Sequence, residues 1–176
     1  LYKSIEVDEL VLGNERTNMK AVLSFLSDIA NAIYETHSVL GRVHGDLKFD
    51  NMVMDERGRI LLTDFGTSTC ASVGMSISPR DNMGFIYTRA PENFKEGSRP
   101  TKRSDVWAFG SLMYKLFTGE YILKLEVANT IHDKGLIEKY RENIDDLIKS
   151  RIKRNAPKKF RRFLNKCLAY NPEERY

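Results

Sequence analysis

The sequence predicts a mainly α-helical domain with one short β-hairpin set among the helices. Three observations carry this expectation. Apolar residues recur at three- and four-residue spacing in separate stretches of the chain, the mark of helices that bury one face. One such stretch is apolar nearly all round, as a helix buried along its length must be. Two short apolar runs also flank a polar turn containing glycine, the pattern of a hairpin.

In chain order, Leu1 to about Val11 reads as a short amphipathic piece, broken at Gly13-Asn14. From Met19, the residues Val22, Phe25, Leu26, Ile29, Ala30 and Ile33 form a stripe on a helix ending near His37, with Gly41 as a stop. A polar loop runs from His44 to Asp50. The hairpin follows, with strands Met52-Val53-Met54 and Ile60-Leu61-Leu62 and with Gly58 in the turn. The stretch from Gly66 to Arg89 is rich in Ser, Thr, Gly and Met and has no sustained period; loops this long tend to carry function. Ser104 is placed to cap the fully apolar helix, which carries Val106, Trp107, Ala108, Phe109, Leu112, Met113, Leu116 and Phe117 and ends at Gly119. Two more stripes follow, one through Leu136, Ile137, Tyr140, Ile144, Leu147 and Ile148, the other through Phe160, Phe163, Leu164, Cys167 and Leu168. No repeat or linker divides residues 1–176.

Composition narrows the function classes. The 176 residues are 41% hydrophobic and 30% charged, with net charge +4, which excludes a disordered tail, a collagen-like repeat and a disulfide scaffold. Two cysteines, Cys70 and Cys167, point to a reducing compartment, hence an intracellular, cytoplasmic protein. No apolar run approaches the ~18 residues that cross a bilayer, so no membrane partner is expected. The opening residue is Leu1, and the chain reads as a piece of something longer. The basic surplus gathers in Arg151, Lys153, Arg154, Lys158, Lys159, Arg161, Arg162 and Lys166. No aromatic ladder interleaves it, so it reads as a solvated face and not a nucleic-acid groove.

The hairpin places the chemistry. With Arg57-Gly58 at the centre of the turn, Asp55 pairs with Ile60, Val53 with Leu62, and Asn51 with Asp64. Asn51 and Asp64 then share one face at the open end. An amide oxygen and a carboxylate are hard ligands suited to Mg²⁺. Asp46 and Lys48 lie just upstream, in the loop feeding the same strand. A carboxylate to take a proton, a lysine to balance phosphate charge and a pair of metal ligands are what phosphoryl transfer requires.

At these residues the chain resembles the catalytic domain of eukaryotic-type protein kinases, specifically its C-terminal lobe. His44-Gly45-Asp46-Leu47-Lys48-Phe49-Asp50-Asn51 resembles the catalytic loop (44–51). Asp64-Phe65-Gly66 and Ala90-Pro91-Glu92 resemble the two ends of the activation segment (64–92). Ser104-Asp105-Val106-Trp107-Ala108-Phe109-Gly110 is similar to the start of the family's central helix, and Asn171-Pro172-Glu173-Glu174-Arg175 to its arginine motif.

The resemblance implies a serine/threonine kinase acting on protein substrates with ATP and Mg²⁺. Asp46 would be the base, Lys48 the phosphate-facing cation, and Asn51 and Asp64 the Mg²⁺ ligands. Val53 would lie under the adenine, backed by Leu112 and Leu116. His44 and Phe65 would stack, Asp105 would anchor the catalytic-loop backbone, and Glu92 would pair with Arg175.

Three departures stand out. Gly45 replaces the family's usual arginine, so activity is not expected to depend on phosphorylation of Thr67, Ser68, Thr69, Ser72, Ser76 or Ser78. Phe85 stands where serine/threonine kinases carry a threonine, with Thr88 three residues out of register. The Gly-rich loop, strand lysine and helix glutamate of an N-terminal lobe are not found in the sequence, so the chain alone is expected to bind ATP poorly and turn over negligibly. Asp50 and Lys115 pull peptide preference in opposite directions. Two alternatives stand beside this reading: a pseudokinase-like binding module, and a small-molecule kinase of the aminoglycoside or choline type, whose loop also reads His-Gly-Asp.

Overall fold

A computed structural model describes residues 3–4, 10–12, 18–65, 87–94, 97–123 and 134–176, with the backbone alone at 3–4 and 134–142. In chain order the elements are β1 (Lys3–Ser4), α1 (Met19–Ser38), β2 (Met52–Met54), β3 (Ile60–Leu62), α2 (Lys102–Thr118), α3 (Lys134–Asn155) and α4 (Arg161–Cys167). Short 3₁₀ turns lie at Phe49–Asn51, Pro91–Phe94, Lys158–Phe160 and Pro172–Glu174. The mainly helical class is as expected.

The helix α1 begins where Asn18 offers its side-chain oxygen to the backbone N–H of Ala21 at 2.9 Å, an N-cap worth about 1 kcal/mol. Val22, Phe25, Leu26, Ile29 and Ile33 are its buried stripe. Gly41, at φ +62, helps turn the chain back toward the loop at 44–51.

The core is built around α2. Twelve of its 17 residues are buried, and Trp107, Leu112 and Leu116 have no exposed surface. It packs on α1 and on α4, and α4 also touches α3. Its cap differs from the expectation. Thr101 is the N-cap, and Ser104 sits within the first turn, returning a hydrogen bond to the Thr101 N–H at 3.1 Å. The pair forms a capping box with serine in the glutamate position. Gly119, at φ +77, closes the helix in the left-handed conformation.

Gly110 packs directly against the C-terminal end of α4. A methyl group there would lie 2.8 Å from Cys167 Cβ and 2.9 Å from Leu168 Cγ. Alanine favours a helix over glycine by up to about 1 kcal/mol, but overpacking costs about 1–3 kcal/mol, and neither neighbour is the tip of a flexible chain. Gly110→Ala therefore lowers stability, read as a lower urea midpoint; an unchanged midpoint would contradict the packing. Cys167 is buried, and that burial pushes its thiol up to about 12, so it packs as an inert core residue.

The hairpin register differs by one residue from the expected one. Met52 pairs with Leu62, Val53 with Leu61 and Met54 with Ile60. The cause is the turn. Asp55 N–H bonds Arg59 O at 3.0 Å, closing a three-residue loop of Glu56, Arg57 and Gly58, with Gly58 at φ +78. Glycine in that conformation suits a three-residue loop as well as a two-residue one. The Asp55 carboxylate locks the longer loop by accepting the Arg57 and Arg59 N–H groups, each at 2.9 Å. A second correction is β1. Residues 3–4 pair antiparallel with β2, Lys3 opposite Met54 and Ser4 opposite Val53, so the hairpin becomes a three-stranded sheet ordered β1-β2-β3.

The alternation puts Met52, Met54, Ile60 and Leu62 on the face toward the core, and Val53 with Leu61 on the other. Among the described residues no helix is long and apolar enough to cross a membrane. Lys153, Arg154, Lys158, Lys159, Arg162 and Lys166 are exposed, while Arg151 bonds Ile122 O and Arg161 bonds Ala156 O.

Candidate active site

The loop 44–51 has no regular secondary structure until its last three residues, so side chains must hold it. Asp105, buried in the first turn of α2, accepts the His44 N–H on Oδ2 and the Gly45 N–H on Oδ1, both at 2.9 Å. His37, at the end of α1, donates from Nε2 to the same Oδ2 at 2.7 Å. One carboxylate thus ties α1, α2 and the loop together. Gly45 takes φ +80, where any residue with a Cβ is strained.

His44 is fully buried, and its partners set the tautomer. Nε2 donates to Thr63 O at 3.0 Å, leaving Nδ1 bare to accept the Asp46 N–H at 3.3 Å. Its ring centroid lies 4.8 Å from that of Phe65, and the two rings are tilted by 52° where a stack is expected. Burial is the largest influence on the ring and lowers its pKa below the usual 6.5, against the opposing pull of Asp105, Thr63 O, Asp46 and Asp64.

A pH dependence follows. Below about pH 6.5 the unfolded chain takes up this proton before the folded one does. The stability His44 contributes is therefore complete above 6.5 and is lost progressively as pH falls toward the lowered folded value. His44→Phe removes this component: its unfolding free energy changes less between pH 7 and pH 5 than that of the wild type, in urea titrations at each pH. An equal slope would refute it.

The loop's interior carries the polar cluster. Asp46 Oδ2 lies 3.0 Å from Lys48 Nζ. Asn51 Nδ2 donates to Asp46 O and to Asp46 Oδ2, both at 2.9 Å. All three residues are buried. With both amide hydrogens spent on Asp46, the Asn51 oxygen is the atom left to serve as a ligand. Asp46 Oδ1 is buried and has no hydrogen-bond partner among the described residues.

Asp64 is placed differently from the expectation. The residue opposite Asn51 is Thr63, whose N–H bonds Asn51 O at 2.9 Å. A regular ladder carried one step further would put Asp64 on the opposite face from Asn51. The ladder stops there instead: Asp64 has φ +58, the one left-handed non-glycine among the described residues. Such strain concentrates at functional sites. Its charge, like those of Asp105 and Asp46, opposes the effect of burial on the His44 ring. Among the described residues no group of three or more His, Cys, Asp or Glu is arranged to hold a metal ion. The available set is one amide oxygen and one carboxylate, and hard oxygens of this kind fit a Mg²⁺ that keeps water and phosphate ligands.

The model of the protein kinase domain matches residues 3–176. The chain belongs to the protein kinase family. Among its relatives, the Bacillus subtilis serine/threonine-protein kinase PrkC is 30% identical over 134 residues, covering 76% of this chain and 20% of PrkC. The human ribosomal protein S6 kinase alpha-3 is 37% identical over 95 residues, covering 54% of this chain and 12% of that protein. The Dictyostelium discoideum dual specificity protein kinase pyk3 is 27% identical over 168 residues, 96% of this chain and 12% of pyk3. The chain thus spans a fifth or less of these relatives' length.

In this kinase domain Glu92 and Arg175 form the expected pair, Nη1 to Oε1 at 2.7 Å and Nη2 to Oε2 at 2.9 Å. Val53 is half-buried on the sheet face away from the core, and Leu112 and Leu116 lie inside α2. Gly66, Phe85 and the segment's hydroxyl residues from Thr67 to Ser78 lie outside the described residues; Thr88 is buried. Two residues escaped the sequence reading. His37 gave no sign of its partner 68 positions away. Arg89 gave none of its place over the Phe94 ring, 5.4 Å from the centroid.

Proposed function

We infer that the domain transfers the γ-phosphoryl group of ATP to serine or threonine hydroxyls of protein substrates, as the C-terminal lobe of a complete kinase. One observation carries the reading: a buried carboxylate, Asp46, holds Lys48 and Asn51 on one oxygen while the other, Oδ1, has no partner among the described residues. That is the arrangement of a base oriented from one side and available on the other.

The substrate hydroxyl donates to Asp46. As its oxygen bonds to the γ-phosphorus, its proton passes to the carboxylate and the bond to the β–γ bridging oxygen breaks, releasing ADP. Lys48 balances charge on the moving group. Asn51, through its oxygen, and Asp64 would hold Mg²⁺, which neutralises phosphate charge when bound. Val53 offers an apolar surface to the adenine. The serine/threonine assignment draws on Lys48, two residues after the base, and on the printed name of PrkC.

The test uses the full-length protein with γ-labelled ATP, Mg²⁺ and a mixed protein substrate, followed by analysis of the labelled amino acids. Label on serine or threonine that disappears when EDTA removes the metal is expected. Nucleotide binding with no transfer would favour a regulatory module, and label on a sugar or amino alcohol in place of protein would sink the protein-kinase reading.

A further inference from the structure

Charge is distributed unevenly along the chain. Residues 147–172 hold nine of the 28 cations and none of the 24 acids, so the other 150 residues carry a net charge of −5. The nine occupy the last two turns of α3, the turn that follows and α4, which packs on α3. Three are accounted for: Arg151 and Arg161 bond the carbonyls of Ile122 and Ala156, and Lys149 pairs with Asp145. Lys153, Arg154, Lys158, Lys159, Arg162 and Lys166 are exposed, and none of them makes an ion pair among the described residues. Of these six, Lys153 and Arg154 suit the last turn of α3, where the helix dipole favours cations.

The cations on α4 have no such structural reason. The 3₁₀ turn Lys158–Phe160 runs straight into α4. Lys159, Arg162 and Lys166, three and four residues apart, therefore form one row, on the side away from the buried Leu164 and Cys167. Like charges at this spacing repel and weaken a helix. Arg162 also stands in a first turn that contains no acid, where the dipole disfavours a cation. The arrangement costs stability, and an anionic partner would offset that cost.

Spacing and surroundings point to the kind of partner. Neighbours in the row lie about 6 Å apart along the helix, close to the ~6.5 Å between alternate side chains on one face of an extended peptide. The rings beside the row are already engaged, Phe160 with Phe117, and Phe163 with Phe109 and Tyr176, so they do not form a ladder for stacking bases.

We propose that the row Lys159–Arg162–Lys166 is a docking surface for an acidic tract of the protein substrate, bound in extended form with aspartate or glutamate at alternate positions. This deepens the proposed function and rests on it for the word substrate. Lys153, Arg154 and Lys158 add to the field that draws the tract in. The row belongs to α4 and the turn before it, not to the loop 44–51, so it bears on capture of the substrate and not on the chemical step.

Fluorescence anisotropy of a labelled peptide of alternating glutamate and glycine, titrated with the full-length protein at about 0.15 M salt, tests the docking directly. Saturable binding is expected, weakening as salt rises and weakened about tenfold or more by Arg162→Glu. Lys20→Glu, the same charge change at an exposed position on α1, is expected to leave it within about twofold. R162E replaces two like-charge neighbours by opposite-charge ones, so its urea midpoint is expected to rise, which separates lost binding from lost folding. A lower midpoint would contradict the row, and equal binding by R162E and K20E would overturn the docking site. Tighter, Arg162-dependent binding of a thymidine oligonucleotide or of phosphatidylserine vesicles than of the peptide would overturn the choice of partner.

Turnover supplies the second readout. Adding the glutamate–glycine tail, through a glycine linker, to a serine-containing peptide is expected to lower its KM about tenfold, with kcat within about twofold, and R162E removes that advantage. Equal KM values for the two peptides overturn the proposal. Absence of transfer to either peptide counts against the kinase reading alone, and the row then stands or falls on the anisotropy.

Discussion

Replacing Asp46 by asparagine lowers kcat by about 10²–10⁴-fold, the usual contribution of a positioned general base, while ATP affinity stays within about threefold. The physical reason lies in which atoms the substitution keeps. Asparagine retains size and one oxygen, which can still accept the Asn51 amide seen at 2.9 Å. It cannot take a proton at neutral pH, and it removes the charge that pairs with Lys48 at 3.0 Å. The residues proposed to meet the adenine and the metal, Val53 and Asp64, are untouched. Steady-state kinetics on the full-length protein separate the two parameters. A loss of less than about tenfold would assign Asp46 to loop architecture and leave the proton to another group.

Arg175→Ala is expected to be the most damaging single change to stability. The guanidinium is fully buried, while Glu92 keeps a quarter of its side chain exposed. All five of its N–H groups are engaged: Glu92 Oε1 and Arg103 O on Nη1, Glu92 Oε2 and Tyr170 O on Nη2, and Ala169 O on Nε. The group also lies 4.9 Å from the Trp107 ring centroid. Alanine leaves a partly buried carboxylate and three carbonyls to find new partners, and breaking such a pair costs about 3–5 kcal/mol. Against a typical net stability of about 5–15 kcal/mol that is a large share, and the Tm is expected to fall by about 10 °C. Arg175→Lys should recover little, since one ammonium cannot reproduce the five-donor fork. A Tm within about 2 °C of wild type would mean that the pair does not bear on folding.

Much of the site was legible because it is contiguous. Asp46, Lys48 and Asn51 fall within six positions of each other, and a single 3₁₀ turn at Phe49–Asn51 folds the amide back onto the carboxylate. Asp64 was legible as a residue but not as a geometry, because Gly58 admits two loop lengths and only the Asp55 contacts decide between them. The helix limits divided in the same way. The end of α2 at Gly119 could be read from glycine's tolerance of positive φ. Its start could not, since Thr101 and Ser104 are both capping residues and the reciprocal bond decides which one caps. β1 was missed because two residues carry no period.

What the sequence determined by itself, then, is the family, the helical stripes and the inventory of reactive side chains, since each depends on spacing within a few turns of chain. What only the tertiary structure decided is how distant groups meet: Asp105 receiving both His37 and the backbone of His44 and Gly45, the left-handed turn at Asp64, and Arg175 reaching Glu92 across 83 positions. Spacing along the chain is a local property, whereas these contacts join residues brought together only when the whole core packs.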